Sequence, residues 1–270
     1  MKRSIFNHIA KFVRLHCLYL KISFKCLQVY RISALLTIVF SVVFFIAEIL
    51  TVNVYYQFSD HIGDWDKSSF YILLGSFNIM ICLYTYLFEI AHDEFVCKIR
   101  FGELDCDLIK PIDSQVFSAI KRVDYPSLLN LPIPIWIVYQ GVSGLELKTT
   151  LVNMFLYKIV LMFGVFIIYL INQFSVNFSF WFTDASSLVS ASDQVTQLGS
   201  KPLQVYPKIL RLGFSYIIPI VLSTNLSVDA IQGNLTINNF LVLMLATSLF
   251  FLLVRLQWTL GLRKYSSASS

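Results

Sequence analysis

The sequence predicts an all-α membrane protein with six transmembrane helices, and two observations carry that prediction. Of the 270 residues, 57% are hydrophobic and 14% are charged, and the mean hydropathy is +0.69. Soluble domains have about 45–50% apolar and about 25% charged residues. Several apolar stretches also approach the roughly 20 residues that a helix needs to cross the hydrocarbon core of a bilayer. This composition excludes a soluble globular enzyme.

Six apolar stretches are predicted to span the membrane. Four are uninterrupted, at residues 32–56, 70–90, 151–171 and 240–262. Two contain proline, at residues 128–142 and 209–226. Proline removes a helical hydrogen bond and kinks a helix, which is tolerated in a membrane where neighbouring groups satisfy the freed carbonyl. The two proline-containing spans are therefore expected inside a helix bundle.

Basic residues indicate the orientation. With six spans both termini lie on one side, and all 21 Lys and Arg residues except Lys67, Lys148 and Lys158 fall on that side. Because positive charge is retained in the cytoplasm, both termini are predicted to be cytoplasmic. The same distribution argues against nucleic acid as a partner, since the bases lie at the ends of apolar runs and no nucleic-acid motif accompanies them.

The two ends of the chain have different compositions. In residues 1–31 apolar positions alternate with Lys and Arg at helical spacing, and no cleavage site follows. This pattern predicts a helix that lies in the inner headgroup layer, and a solvated basic tail is the alternative. Residues 263–270 are predicted to be a cytoplasmic tail.

The loop of residues 91–127 has more charged residues than any other segment between two predicted spans. Gly102 permits a tight turn, and Asp113 or Ser114 can cap a short helix. The residues that share one apolar face of that helix are Val116, Phe117 and Ile120. A short amphipathic helix flanked by both signs of charge is suited to docking a soluble protein. An ordinary solvated connector is the alternative interpretation.

Polar residues inside the spans are candidates for a substrate path. Asn78 and Lys158 are assigned to it, although helix packing is the more common explanation for a residue such as Asn78, and snorkelling to the outer surface or structural pairing is the more common one for Lys158. Arg255 is interpreted as an interface anchor. The five cysteines form no CxxC pair, and no nucleotide-binding or hydrolase motif occurs, so no metal or cofactor is expected in this chain.

The charged loop carries a pattern of the form Gly-x-Leu-Asp-x-x-Leu-x-Lys/Arg-Pro. Its matching residues are Gly102, Leu104, Asp105, Leu108, Lys110 and Pro111. Further matches follow in order, namely Phe180-Trp181, Pro202-Leu203 with Tyr206-Pro207, and the run 263–269. In these features the chain resembles a permease of the ABC-2 family of ATP-binding-cassette transporters, of the compact bacterial type with six spans.

The resemblance implies a half-transporter in a bacterial plasma membrane. It implies a dimer with itself or a second permease, and two cytosolic ATPase subunits that bind the ATP and magnesium. Residues 1–31 would form an elbow helix, and residues 91–127 would carry the coupling helix. The residues expected to contact or position the ATPase are Gly102, Glu103, Leu104, Asp105, Leu108, Lys110, Pro111 and Phe117. The expected cargo is amphipathic or lipid-like and is exported.

Two departures from the family pattern limit what the resemblance predicts. Val228 occupies a position where a proline is expected, so the outer loop after the fifth span is left open. Residues 173–208 are long for an inner loop and leave room for a further half-buried helix. Two other functions also stay open at this point: an ATP-independent channel or secondary transporter, and a membrane scaffold without transport.

Overall fold

The structure is a computed structural model that describes residues 31–59, 61–62, 65–110, 113–120, 123–145, 149–182 and 185–265. The helix predicted for residues 1–31 therefore lies outside the described residues except for Arg31, as do Pro111 and the tail from residue 266. Within the described ranges regular structure is helical, apart from an isolated bridge between Ile62 and Trp65. The all-α prediction is confirmed for this part of the chain.

The described ranges contain eleven α-helices. They are α1 Arg31–Phe58, α2 Lys67–Tyr84, α3 Ile90–Phe101, α4 Asp105–Leu108, α5 Ser114–Ile120, α6 Pro132–Ser143, α7 Leu151–Val176, α8 Ser186–Gln197, α9 Lys208–Tyr216, α10 Ile220–Gln232 and α11 Ile237–Lys264. A π-helical turn at Thr85–Glu89 joins α2 to α3. Short 3-10 turns lie at Tyr125–Asn130, Asn177–Phe180, Leu198–Ser200 and Leu203–Val205.

Four of the predicted spans are present as long apolar helices. In the described residues they are Ile38–Phe58, Lys67–Phe101, Leu151–Phe180 and Ile237–Lys264. A fifth is obtained if α9 and α10 are counted as one broken span. The chain is therefore a multi-pass membrane protein.

The two predicted spans that contain proline are not continuous helices in the structure. The stretch 209–226 is divided between α9 and α10, which are bent by 82° across Ile217–Pro219. The α-helix in the stretch 128–142 is α6, which has 12 residues and is about 18 Å long, and the end of a 3-10 turn precedes it. Pro132 has no backbone N–H to donate, so it begins a new helix instead of continuing the 3-10 turn before it.

Helix α2 lies at the centre, and its neighbours alternate in direction. Ser76 bonds Tyr157 and His92 bonds Gln173, so α2 with α3 runs parallel to α7. Asn78 bonds Glu48 while Tyr71 bonds Asn53, so α1 runs antiparallel to α2.

Helix α6 packs antiparallel to α2 at two glycines. A Cβ added at Gly75 would lie 2.8 Å from the Pro134 carbonyl oxygen, and one at Gly141 would lie 2.7 Å from the Ser68 carbonyl oxygen. Contacts of a Cβ with backbone below 3.0 Å are essentially never seen, so glycine lets the two backbones approach this closely. This contact places α6 alongside the membrane-spanning part of α2.

The unit formed by α2, the π-helical turn and α3 is longer than a bilayer is thick. Its 35 residues extend about 52 Å, whereas the hydrocarbon core is about 30 Å thick. The charged residues of this unit after Glu89 lie in α3, namely Asp93, Glu94, Lys98 and Arg100. Helix α3 and the segment after it, as far as α5, therefore extend beyond the membrane. We call residues 90–110 and 113–120 the protrusion.

We expect Gly75→Ala to destabilise the protein by about 1–3 kcal/mol, because the added methyl group overpacks the contact between α2 and α6. Thermal unfolding of the detergent-solubilised chain measures the effect. Gly213→Ala is the matched control, since that helical glycine has nothing within 4 Å of its Cβ position. Equal melting temperatures for the two variants would contradict the close contact.

Candidate functional site

The protrusion is closed by a turn at Gly102. Its φ of 73° is left-handed, a conformation that glycine adopts at little cost. The Gly102 N–H bonds the Ile99 carbonyl, and the Glu103 N–H bonds the Lys98 carbonyl at 2.9 Å. This pair of bonds is a Schellman motif, which satisfies the last carbonyls of α3 and reverses the chain. The predicted tight turn at Gly102 is present.

Leu104 fixes the reversed chain to the membrane domain. Its side chain is 0% exposed and lies in a cluster with Phe95, Phe180 and Trp258. Phe95 packs against Trp258 with ring centroids 5.1 Å apart, and Phe180 meets Trp258 edge-on at 5.5 Å. Leu104 is therefore a buried anchor of the loop and cannot itself touch a soluble partner.

Asp107 holds the short helix α4 against α3, a role that the sequence did not reveal. Its side chain is 2% exposed and lies 3.3 Å from Lys98 and 3.1 Å from Lys110. The predicted Asp105, by contrast, is half-buried beside Tyr265, whose pKa is raised by burial and then by this carboxylate. The spacing of Asp107 three residues before Lys110 was the available signal.

Apolar side chains are exposed at the end of the protrusion. Phe101 is 68% exposed and Ile109 is 82% exposed, with Leu108 and the charged Glu103 beside them. We call Phe101, Leu108 and Ile109 the apolar tip.

Phe117 does not belong to the apolar tip. It is half-buried, and the Lys110 ammonium sits 4.0 Å from its ring centroid, a cation–π contact. Of the site residues predicted from the sequence, Leu108 thus lies in the apolar tip, whereas Lys110 and Phe117 contact each other outside it.

The predicted helix α5 is present and is capped by Asp113. The Oδ1 atom of Asp113 accepts the N–H groups of Gln115 and Val116, each at 3.1 Å. Arg255 of α11 donates to the same Oδ1 at 3.0 Å and to the Gln115 amide oxygen at 2.8 Å, and its second nitrogen pairs with Oδ2. Arg255 is therefore bound to α5, which goes beyond its interpretation as an interface anchor.

The carboxylate of Asp113 stays ionised, and so paired with Arg255, over the physiological pH range. The hydrogen bond from Arg255 is the main cause that lowers the pKa of Asp113 below its ordinary value of 3.8. A carboxyl group with a lowered pKa contributes stability above its unfolded pKa, and the contribution is lost as the pH falls through the folded value. The pair is thus intact at neutral and mildly acidic pH.

A chain of buried polar side chains crosses the bundle where the protrusion begins. The Tyr84 hydroxyl lies 2.8 Å from His92 Nδ1, and His92 Nε2 lies 3.2 Å from the Gln173 amide oxygen. Gln173 donates to Asn177 at 2.7 Å, and Asn177 donates to Gln257 at 3.1 Å. Because the Gln173 oxygen must accept, His92 carries its proton on Nε2 and accepts from Tyr84 at Nδ1.

The two residues assigned to a substrate path are far from the protrusion. Asn78 is buried and uses its amide nitrogen on the Glu48 carboxylate at 2.8 Å and on the Leu74 carbonyl at 3.0 Å. Lys158 is exposed beside Met162 and Phe163, two turns into α7. Asn78 therefore has the contacts of a packing residue, and the structure does not bring the two together.

The described residues contain no group of three or more His, Cys, Asp or Glu side chains that could hold a metal ion. The described cysteines, Cys82, Cys97 and Cys106, are free thiols. The arrangement at the protrusion is a structural one, consisting of a turn, an anchor, an ion-pair network and an apolar tip.

Comparison with known proteins agrees with this architecture. The model of the family described as ABC-2 family transporter protein matches residues 42–269. No curated protein and no solved structure matches the chain. The family match covers most of the sequence and includes the protrusion, the first span from residue 42 onwards and the other described spans. The chain therefore belongs to the ABC-2 family of transporter proteins.

Proposed function

We propose that this protein is the permease subunit of an ATP-driven exporter, and that a separate cytosolic ATPase binds its protrusion. The family match supports a transporter. The single observation that carries the ATPase contact is the apolar tip, which is exposed on a segment too long to be embedded in the bilayer. The chain lacks a phosphate-binding loop of the form GxxxxGK[ST], so the nucleotide and its magnesium belong to the partner.

The topology that we propose has six crossings with both termini in the cytoplasm of a bacterium. Its third crossing consists of the 3-10 turn Tyr125–Asn130 followed by α6. The Asp124 N–H bonds the Tyr86 carbonyl at 2.8 Å, and a Cβ at Gly144 would overlap the Ser68 side chain. The segment therefore follows the π-helical turn and α2 from residue 86 back to residue 68, about 27 Å.

The rigidity of the protrusion favours a mechanical role. Leu104 anchors the loop in the membrane domain, while Asp107 ties α4 to α3 through Lys98. Ion pairs with such a buried partner resist separation, because removing one partner leaves an uncompensated buried charge. When ATP binding closes two ATPase subunits, a rigid protrusion on each of two permeases would pass the displacement to the spans. The second permease is either a second copy of this chain or a sister subunit.

The cargo that we propose is amphipathic or lipid-like. Two adjoining crevices of about 450 and 490 Å³ share Phe174, Phe178 and Leu253 as a common wall. The first continues along the apolar side of α8, at Leu188, Ala191 and Val195. The second continues towards Trp181, Phe182 and Gln257. An apolar crevice of this size accommodates an acyl chain or a similar apolar group.

The other side of α8 supplies a polar surface next to the crevice. Its exposed polar residues recur with helical spacing, at Ser186, Ser190, Asp193 and Gln197. The pKa of Asp193 is raised by partial burial and then by the neighbouring Asp93. A helix with an apolar and a polar exposed side supports a cargo that has both kinds of surface, which is the reason for preferring an amphipathic molecule.

A secondary transporter is the second candidate, because the structure contains a feature typical of that class. The segment 198–207 between α8 and α9 is not α-helical, and Gly199 packs against Phe77 and Ile220. Phe77 lies ten residues into α2, about 15 Å from its start and thus near half the bilayer thickness. Broken helices at this depth form the binding sites of many secondary transporters. Transport by proteoliposomes that contain this chain alone, without ATP, would favour this candidate.

We expect Phe101→Asp and Ile109→Asp to weaken binding of the ATPase at least thirtyfold, equivalent to about 2 kcal/mol, because each places a charge in an apolar contact. Titration of the purified permease with its ATPase measures the affinity. Ile237→Asp is the matched control, since Ile237 is 78% exposed at the start of α11, the end of that helix opposite to Arg263 and Lys264. Phe117→Ala should have a smaller effect through Lys110. Unchanged affinity in both tip variants would exclude the tip as the contact.

The orientation can be checked with cysteine labelling in cells. A variant that retains only Cys106, which is exposed in the protrusion, should react with a membrane-impermeant maleimide only after permeabilisation. A variant with Asn234→Cys as its sole cysteine should react in intact cells, because Asn234 lies in the turn between α10 and α11. Labelling of Cys106 in intact cells would reverse the topology.

We expect Ala191→Trp to fill the first crevice and to block an acyl chain from entering it. A phospholipid with a photoreactive acyl chain, incorporated in nanodiscs with the parent protein, should label peptides of α7, α8 and α11 that line the crevice. The variant should lose most of that labelling. Val43→Trp, on the exposed surface of α1, is the matched control and should leave it unchanged. Uniform labelling of α1 and the crevice would contradict a specific binding site.

A further inference from the structure

Arg255 is a charged residue within the apolar part of helix α11. It is the only charged residue of α11 before the pair Arg263 and Lys264 at the helix end. It lies nine positions before Lys264, which corresponds to about 13 Å along the helix. An ionisable side chain set back from the end of a membrane helix usually has a specific partner. Here the partners are Asp113 and Gln115 of α5.

The contact is directed at the N-terminus of α5. Asp113 already satisfies two N–H groups of the first turn, so its position fixes the start of the helix. Arg255 binds both carboxylate oxygens of this capping residue and also the Gln115 side chain. A two-pronged contact between guanidinium and carboxylate sets orientation as well as distance. Any rotation or shift of α5 therefore acts on Arg255.

Around Arg255, helix α11 is fixed to the centre of the bundle. Gln257 donates to the Phe174 carbonyl at 3.0 Å and accepts from Asn177. Trp258 is 1% exposed in the cluster that contains Leu104. Helix α5, on the other side of the ion pair, follows α4 in sequence and is also joined to it through Lys110 and Phe117. Arg255 thus links the protrusion to a helix that is remote from it in sequence.

We propose that Arg255 is a positioning residue that transmits a displacement of the protrusion to α11, through Asp113 and Gln115. This inference rests on the proposed function, since it supposes that an ATPase moves the protrusion. Backbone continuity carries such a movement to α2 and α6, which flank the loop in sequence. The ion pair adds α11, which forms a wall of both crevices. Both partners are partly exposed, so the contact can break and re-form during a transport cycle.

Two variants separate the ion pair from the helix cap. Asp113→Asn keeps a capping side chain and removes the charge, because asparagine caps helices about as well as aspartate. Arg255→Gln removes the charge from the other side. Arg263→Gln is the matched control, since it removes a charge from the same helix outside the contact. All three are made in the full-length chain and reconstituted in nanodiscs with its ATPase.

The first measurement is amide hydrogen exchange of residues 114–120 without nucleotide. We expect exchange to rise at least threefold in Arg255→Gln and Asp113→Asn and to stay at the parent rate in Arg263→Gln. The parent rate in all variants would overturn the inference, because the contact would then not hold α5.

The second measurement follows the movement itself. Spin labels are placed at Val43→Cys on α1 and Leu245→Cys on α11, both exposed and outside the ATPase contact, in a chain whose five native cysteines are replaced by alanine. We expect ATP with vanadate to change the distance between the labels in the parent, and the change to fall by at least half in Arg255→Gln. A full change in that variant would show that Arg255 is only structural and would overturn the inference. No change in the parent would instead refute the proposed ATP-driven function, and the inference with it.

Discussion

The buried hydrogen-bond chain from Tyr84 through His92, Gln173 and Asn177 to Gln257 is the constraint on which the inner end of the bundle depends. Polar groups that are removed from water cost free energy unless each finds a partner. These five satisfy one another in a single order, which fixes the relative position of α3, α7 and α11. The protrusion begins at this level, and so its direction is set by the same contacts.

From that fixed base, two kinds of interaction shape the protrusion. Apolar burial of Leu104 against Trp258 pins the loop after its turn, and the buried Asp107 draws together Lys98 and Lys110. Burial of a leucine contributes roughly 1.5–3 kcal/mol. These interactions leave Phe101 and Ile109 without a place in the core, and this exposure of apolar side chains on a rigid support favours the proposed docking surface over a solvated connector.

Helix α11 connects the buried hydrogen-bond chain to the candidate substrate path. Helix α11 joins the buried chain through Gln257, contacts α5 through Arg255, and forms a wall of both crevices. A displacement of α5 can therefore reach the apolar lining of the crevices through contacts between helices. Helix α8 adds a polar surface beside that lining, and its Ser192 donates to Asn172 of α7 at 2.9 Å. The long inner segment 173–208 noted in the sequence thus contains a helix that helps to form the candidate substrate path.

The sequence by itself determined the membrane class, four of the spans, the turn at Gly102 and a helix cap at Asp113 or Ser114, of which the structure shows Asp113. These features depend on hydrophobic run length and on local backbone chemistry, which neighbouring residues decide. The tertiary structure decided the 82° break between α9 and α10 and the shortness of α6, because proline shows that a helix is interrupted and not where the chain turns. It also decided the roles of Asp107 and Arg255. Their partners lie up to 142 residues away in sequence, and only packing brings such charges together.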